Sequence, residues 1–202
     1  MTADVAGLTG VLLVGGASER FGSPKALARF RGETLAARGH RLLSEACDEV
    51  LVVGKANELA ERGHRLLADA CDEVLVVGKA GELDGRLPFA VLDDGAAGRA
   101  PVHGLVAGLR AAAHDTVVAL PVDVPLITPE ALRALGEARA VPSPRVPLPG
   151  AYPRALLPVL ESRVAAGELS LRGVNATTLE IPDALLVDAD TPAALADLER
   201  LA

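Results

Sequence analysis

Aromatic side chains are almost missing from this chain. Its 202 residues include three Phe, one Tyr and no Trp. Single-stranded nucleic acid is bound on stacked rings, so their scarcity argues against that partner. An excess of positive charge is missing too: 20 Lys and Arg face 27 Asp and Glu, for a net charge of −7. With no basic stripe to follow a phosphate backbone, nucleic acid is not expected as a ligand. The apolar runs reach only about five to seven residues, against the ~20 of a membrane helix, so no membrane association is expected. Cysteine is rare, with two in all. That is too few for a disulfide framework and fits a reducing compartment. Met1-Thr2-Ala3-Asp4 lacks the basic start of a signal peptide, so a cytoplasmic location is expected.

Small aliphatic residues are plentiful. Half of the chain is hydrophobic and 23% is charged, which supplies a core of Leu, Val and Ala and excludes a disordered chain. The length predicts one domain spanning 1–202.

The first half contains a tandem repeat. Residues 38–61 and 62–85 differ at only five of 24 positions: Ser44/Ala68, Glu45/Asp69, Asn57/Gly81, Ala60/Asp84 and Glu61/Gly85. This is a duplicated helix-then-strand unit. Cys47 and Cys71 are therefore one cysteine copied, and His40 and His64 one histidine copied. A Cys2His2 metal count from these four is an artefact of the repeat, because His and Cys stand seven residues apart in each unit, which is no usual zinc spacing. Two copies are also too few for a solenoid.

Strand and helix signals alternate along the chain. Val11–Val14 reads as a buried strand running into Gly15-Gly16, and Thr34–Ala46 as a helix. Val50–Val53 is a second strand. The repeat adds a helix near Leu59–Ala70 and a strand at Val74–Val77. Phe89–Leu92 is a short strand, Pro101–Ala113 a helix and Thr116–Leu120 a strand ending at Pro121-Val122-Asp123. Thr128-Pro129-Glu130 has the form of a helix start, with a Thr cap, Pro in the first position and an acid in the first turn. Pro142–Pro149 is loop or extended chain, a helix follows near Pro153–Ala166, and Thr191-Pro192 opens the last one. Such alternation predicts an α/β fold with a mainly parallel sheet flanked by helices. Ligands of such sheets bind beyond the carboxyl ends of the strands.

Four motifs carry chemistry. In Gly15-Gly16-Ala17-Ser18-Glu19-Arg20-Phe21-Gly22-Ser23-Pro24-Lys25, glycines let backbone N–H groups approach a phosphate, and Arg20 and Lys25 add charge. The loop is neither a Walker A sequence nor a GxGxxG fingerprint. Asp123, just past a buried strand, is placed to ligate Mg2+, which takes a few carboxylates together with phosphate oxygens. Asp93-Asp94 could accept hydrogen bonds from a base or ribose, join a metal site, or simply form a solvated turn. Asp188 and Asp190 alternate, so both can face one side of an extended segment, which suits a metal or a phosphate-linked site. His103, near a helix start, reads as packing or capping, and His114 as surface.

Together these motifs resemble the molybdenum cofactor guanylyltransferase family of the nucleotidyltransferase superfamily, in order and over nearly the whole chain. The family's L-A-G-G-x-S-x-R-M-G-x-x-K-A-L stands here as Leu13–Leu27, with Val14 for Ala, Phe21 for Met, and Pro24 where an acid is common. Its Gly-Pro-Leu-x-Gly appears as Ala100-Pro101-Val102-His103-Gly104, and its Asn-x-Asn-Thr-Pro as Asp188-Ala189-Asp190-Thr191-Pro192. The resemblance implies a Rossmann-like nucleotidyltransferase fold carrying the duplicated unit. It implies transfer of GMP from GTP to molybdopterin with release of pyrophosphate. It also implies catalytic roles for Arg20, Lys25 and Asp123, nucleotide contacts from Leu13, Val14, Gly15, Lys25, Asp94 (or Asp93) and Asp123, and Mg2+ on Asp123. A family position often held by Asn falls on Gly54 or Gly78, which leaves only a backbone contact there. Two alternatives stay open: a relative using CTP or a sugar-phosphate acceptor, and a nucleotide-binding protein without turnover. The Val14-Gly15-Gly16 run favours guanine over the cytidylyl relatives. Only one copy of the repeat can stand beside the first strand. The other either joins the sheet or is extruded, and an extruded unit would expose an apolar face open to self-association.

Overall fold

The computed structural model of the chain describes residues 7–14, 21, 25–53, 76–77, 91–92 and 100–201. The first strand, β1 (Leu8–Leu13), is buried along its whole length, as a strand covered on both faces must be. A hairpin of β2 (Arg29–Phe30) and β3 (Glu33–Thr34) leads into α1 (Leu35–Ala46), where the Thr34 hydroxyl accepts from the Ala37 N–H. Then come β4 (Glu49–Val53), β5 (Val76–Val77), β6 (Val91–Leu92), α2 (Pro101–Ala111) and β7 (Thr116–Pro121). The chain continues with α3 (Pro129–Ala138), β8 (Gly150–Pro153), α4 (Leu157–Ala165) and α5 (Pro192–Leu201).

The main sheet has the order β6-β5-β4-β1-β7-β8, parallel except for the antiparallel β7–β8 pair. Alternate side chains of β1 and β7 enter two cores. Leu12, Val118 and Leu120 meet α1, α3 and α5; Val11, Leu13, Val117 and Ala119 meet α2 and α4. Helix glycines allow close approach on both faces. A Cβ on Gly39 would come within 2.6 Å of Leu12, and one on Gly108 within 2.8 Å of Val11.

The expected α/β fold with a mainly parallel, helix-flanked sheet is what is observed. Several boundaries differ. The first strand begins at Leu8 and stops at Leu13, one residue before the expected end. Thr34 caps α1 rather than joining it. The helix expected to reach Ala113 stops at Ala111, because the next groups are claimed elsewhere: the Ala113 N–H donates to Glu49 and the His114 N–H to Thr9 Oγ1. The expected helix from Pro153 opens as a 3-10 turn (Arg154–Leu156) before α4. Neither β8 nor the β2–β3 hairpin was expected. His114 is half-buried rather than a surface residue, its ring filling the space a Cβ on Gly7 would need. Cys47 is buried, and desolvation pushes its thiol up to about 12, so it is an inert packing group. The second-copy helix, Cys71 and His64 lie outside the described residues.

A strand segment of each copy lies in the sheet. Copy one supplies α1 and β4, which pairs with β1; Val76–Val77 of copy two pairs with β4 on the far side. Copy one is fastened to β1 by polar contacts as well. The Leu8 N–H donates to Asp48 Oδ2 at 2.8 Å, and Thr9 Oγ1 donates to Glu49 Oε2 at 2.6 Å. Copy two carries the same side chains as Asp72 and Glu73. Deleting 38–61 or 62–85 therefore leaves one intact unit after Ala37, with the same strand sequence to place between β1 and β6. Both deletion proteins are expected to fold and to be at least as stable as the full chain. Thermal melts check this: a drop of more than about ten degrees in either would make the extra unit integral to the core.

Candidate functional site

Parallel strands bring their carboxyl ends to one edge. Here Leu13 pairs with Pro121 across β1 and β7, and the Val122 N–H continues the ladder to the Leu13 carbonyl at 3.1 Å. Leu13, Val14 and the Val122-Asp123 turn thus meet at the mouth of the sheet. Val122 and Val124 are buried on either side of Asp123, whose side chain stays 26% exposed.

Lys25 reaches the same point from a 3-10 turn (Lys25–Leu27). Its Nζ donates to Asp123 Oδ2 at 2.9 Å and to Asp190 Oδ1 at 2.8 Å, and it lies 5.7 Å from the centre of the Phe21 ring. Desolvation alone would lower the Lys25 ammonium. The hydrogen bonds and charges of Asp190 and Asp123 outweigh it and raise the group above its ordinary value. The site is therefore a fixed cation between two carboxylates.

Two further contacts hold this edge. The Ala189 N–H donates to the Asp123 carbonyl at 2.8 Å, which docks the segment before α5 on the Asp123 turn. On the other side, Arg38 Nε donates to the Pro125 carbonyl at 2.6 Å. The Arg38 guanidinium also pairs with Glu33 at 2.9 Å and lies 5.2 Å from the Phe30 ring centre. Glu33 is held below its ordinary value, first by its hydrogen bond to Arg41 and, against a desolvation cost, by Arg38 as well. Helix α1 and the hairpin thus brace the loop that carries Asp123.

The structure brings together four of the site residues read from the sequence: Leu13, Val14, Lys25 and Asp123. Gly15, Arg20, Asp94, its rival Asp93, Gly54 and Gly78 lie outside the described residues. Asp190 stands directly before the Thr191-Pro192 helix start, yet no sequence signal links it to Lys25, 165 positions away. Arg38 had no sequence signal at all. His103 sits half-buried in the first turn of α2, with its backbone N–H on the Ala100 carbonyl.

Among the described residues, no group of three or more His, Cys, Asp or Glu could hold a metal unaided. What the mouth offers a metal is the Asp123 carboxylate, a hard oxygen donor. It fits a divalent cation that takes the rest of its shell from phosphate oxygens and water.

Comparison with known proteins shows the family. The MobA-like NTP transferase domain matches residues 10–69 and 57–181, the two matches overlapping inside the duplicated segment. A molybdenum cofactor guanylyltransferase of Pseudomonas fluorescens is 30% identical over 191 residues, covering 86% of this chain and 83% of that protein. One of Pseudomonas putida is 30% identical over 175 residues, covering 80% and 78%. Among solved structures, the molybdopterin-guanine dinucleotide biosynthesis protein A of Archaeoglobus fulgidus superposes with a TM-score of 0.69 at 20% identity, covering 96% of this chain and 97% of that one.

Proposed function

The chain belongs to the MobA-like NTP transferase family, and we propose that it transfers GMP from GTP to molybdopterin, releasing pyrophosphate. The observation that carries this reading is the Lys25–Asp123 pair at the carboxyl edge of β1 and β7, held at 2.9 Å where the family motif ends. In this reading an anionic phosphate oxygen of molybdopterin attacks the α-phosphorus of GTP. A new P–O bond forms, the bond to the β,γ-pyrophosphate breaks, and pyrophosphate leaves. The nucleophile is already ionised, so no side chain has to remove a proton from it. Positioning and charge neutralisation are what the protein must provide.

Leu13, Val14 and Gly15 would line the nucleotide, and Asp94 would contact the nucleoside. Lys25 and Arg20 would neutralise phosphate oxygens. The family's divalent metal would be Mg2+, held by Asp123, where it lowers the repulsion between two anionic reactants. The net-negative surface does not oppose this, because the cations that matter are local. We read 1–202 as one nucleotidyltransferase domain acting in the cytoplasm. The sparse, unframed cysteines support that location, and among the described residues no helix is long and apolar enough to cross a membrane.

The test is pyrophosphate release with molybdopterin and GTP, CTP or ATP, together with calorimetric titration in Mg2+. GTP is expected to bind at least about tenfold more tightly than CTP, a difference of about 1.4 kcal/mol. Equal affinity, or a preference for CTP, rejects the guanylyl assignment. Binding without turnover identifies a non-catalytic protein.

A further inference from the structure

We propose that Asp190 is a positioning residue for Lys25; the inference deepens the nucleotidyl-transfer reading and rests on it for its effect on turnover. An unrestrained lysine carries four rotatable bonds, and a cation that must meet a phosphate at one point loses effectiveness if it wanders. Here the Lys25 ammonium is gripped from two sides, by Asp123 at 2.9 Å and by Asp190 at 2.8 Å. Two hydrogen bonds to carboxylates fix its direction as well as its distance.

Asp190 can serve as one jaw because its backbone is pinned on both flanks. On one side, Ala189 is fully buried and its N–H is bound to the Asp123 carbonyl. On the other, Thr191 caps α5: its hydroxyl accepts from the Ala194 N–H at 3.1 Å and its carbonyl from the Leu195 N–H at 3.0 Å. Helix α5 is itself seated through the buried Leu195 and Leu198. Its Glu199 accepts from the Arg31 N–H at 2.5 Å on the β2–β3 hairpin, just after the Lys25 turn. The two jaws and the lysine therefore belong to one packed assembly. The Asp190 side chain is 49% exposed against 26% for Asp123 and 14% for Lys25, so Asp190 is the jaw nearer solvent.

The experiment compares the full chain with Asp190→Ala and Asp190→Asn by three measurements. Without nucleotide, acetic anhydride labelling of Lys25 is followed by peptide mass spectrometry, with Lys55 and Lys79 as internal references. Pyrophosphate release then separates kcat from KM for GTP, and a thermal melt monitors the fold. With Asp190→Ala, Lys25 is expected to label several-fold faster, and kcat to fall about tenfold as the cation loses its aim. KM for GTP should not rise, because a negative charge has been taken from an anion site. Asp190→Asn keeps an oxygen acceptor and is expected to recover part of both changes. Unchanged labelling in Asp190→Ala overturns the proposal whatever turnover does, as does a kcat within about twofold of wild type. A raised KM accompanied by a lowered melting point assigns Asp190 a structural role instead, which also overturns it. If the unaltered protein transfers no nucleotide, the functional reading has failed, while the labelling result still decides whether Asp190 holds Lys25.

Discussion

Asp123→Ala is expected to reduce nucleotidyl transfer at least about a hundredfold while the protein keeps its fold, because one preorganised electrostatic contact contributes about 3 kcal/mol or more to barrier lowering. The geometry separates the two consequences. Everything that shapes the Asp123 turn is backbone or belongs to other residues. The Asp123 carbonyl receives the Ala189 N–H, Arg38 holds the Pro125 carbonyl, and Val122 and Val124 fill the core on either side. Alanine retains all of these. The carboxylate itself contacts Lys25 at a 26% exposed position, where one ion pair adds little stability, on the order of 1 kcal/mol or less. Lys25 would still hold Asp190. Turnover and melting point measured on the same preparation decide the matter. If turnover falls less than about tenfold, Asp123 is not the group that organises the reaction. If the melting point drops steeply, the turn depends on its side chain, and fold and turnover are not separable at Asp123.

The parts of this site that could be read from the sequence are those fixed by local chemistry. A buried strand running into paired glycines places Leu13 and Val14 at a sheet edge, and an acid after the next long apolar strand places Asp123 beside them. Thr128 and Thr191 each announce a helix start, and each hydroxyl accepts the N–H three residues on; Thr34, read as the first residue of its helix, caps in the same way. The contacts that were not legible are long-range and polar. Lys25 meets Asp190 across 165 positions and Arg38 meets Pro125 across 87, and neither pairing leaves a periodicity or a spacing to read. The antiparallel β8 was missed for a related reason. Gly150-Ala151-Tyr152-Pro153 is short and follows a proline-rich stretch, and its pairing with β7 is decided by tertiary packing rather than by strand propensity. The repeat shows the reverse case. Its two strands are indistinguishable by sequence, and chain connectivity alone sets copy one beside β1.

Arg154→Ala is expected to lower the melting temperature by about 5–15 °C with little change in turnover, the opposite pattern to Asp123→Ala. Helix α2 ends with carbonyls that have no partner inside the helix. Arg154, at the exit of β8, closes them: Nη1 donates to the Leu109 carbonyl at 2.8 Å, while Nη2 donates to the carbonyls of Ala112 and of His114, the latter at 3.1 Å. A cation at a helix carboxyl end also meets the negative end of the helix dipole. The Arg154 N–H adds a bond to the Asp115 carbonyl at 2.7 Å, and this one survives substitution. Three charge-assisted bonds are lost together, and at a partly exposed position water replaces some of them. A net cost of about 2–4 kcal/mol is expected. Lysine carries the charge but not the fork, so Arg154→Lys should recover less than half of it. The clamp sits at the amino end of β7, and Asp123 lies beyond the carboxyl end, about 20 Å away at ~3.3 Å per residue. Turnover below the melting range should therefore stay close to that of the unaltered protein. A melting point within two degrees of the original would show that α2 does not need the clamp. A large loss of kcat at unchanged stability would show that strain at one end of β7 reaches the Asp123 turn at the other.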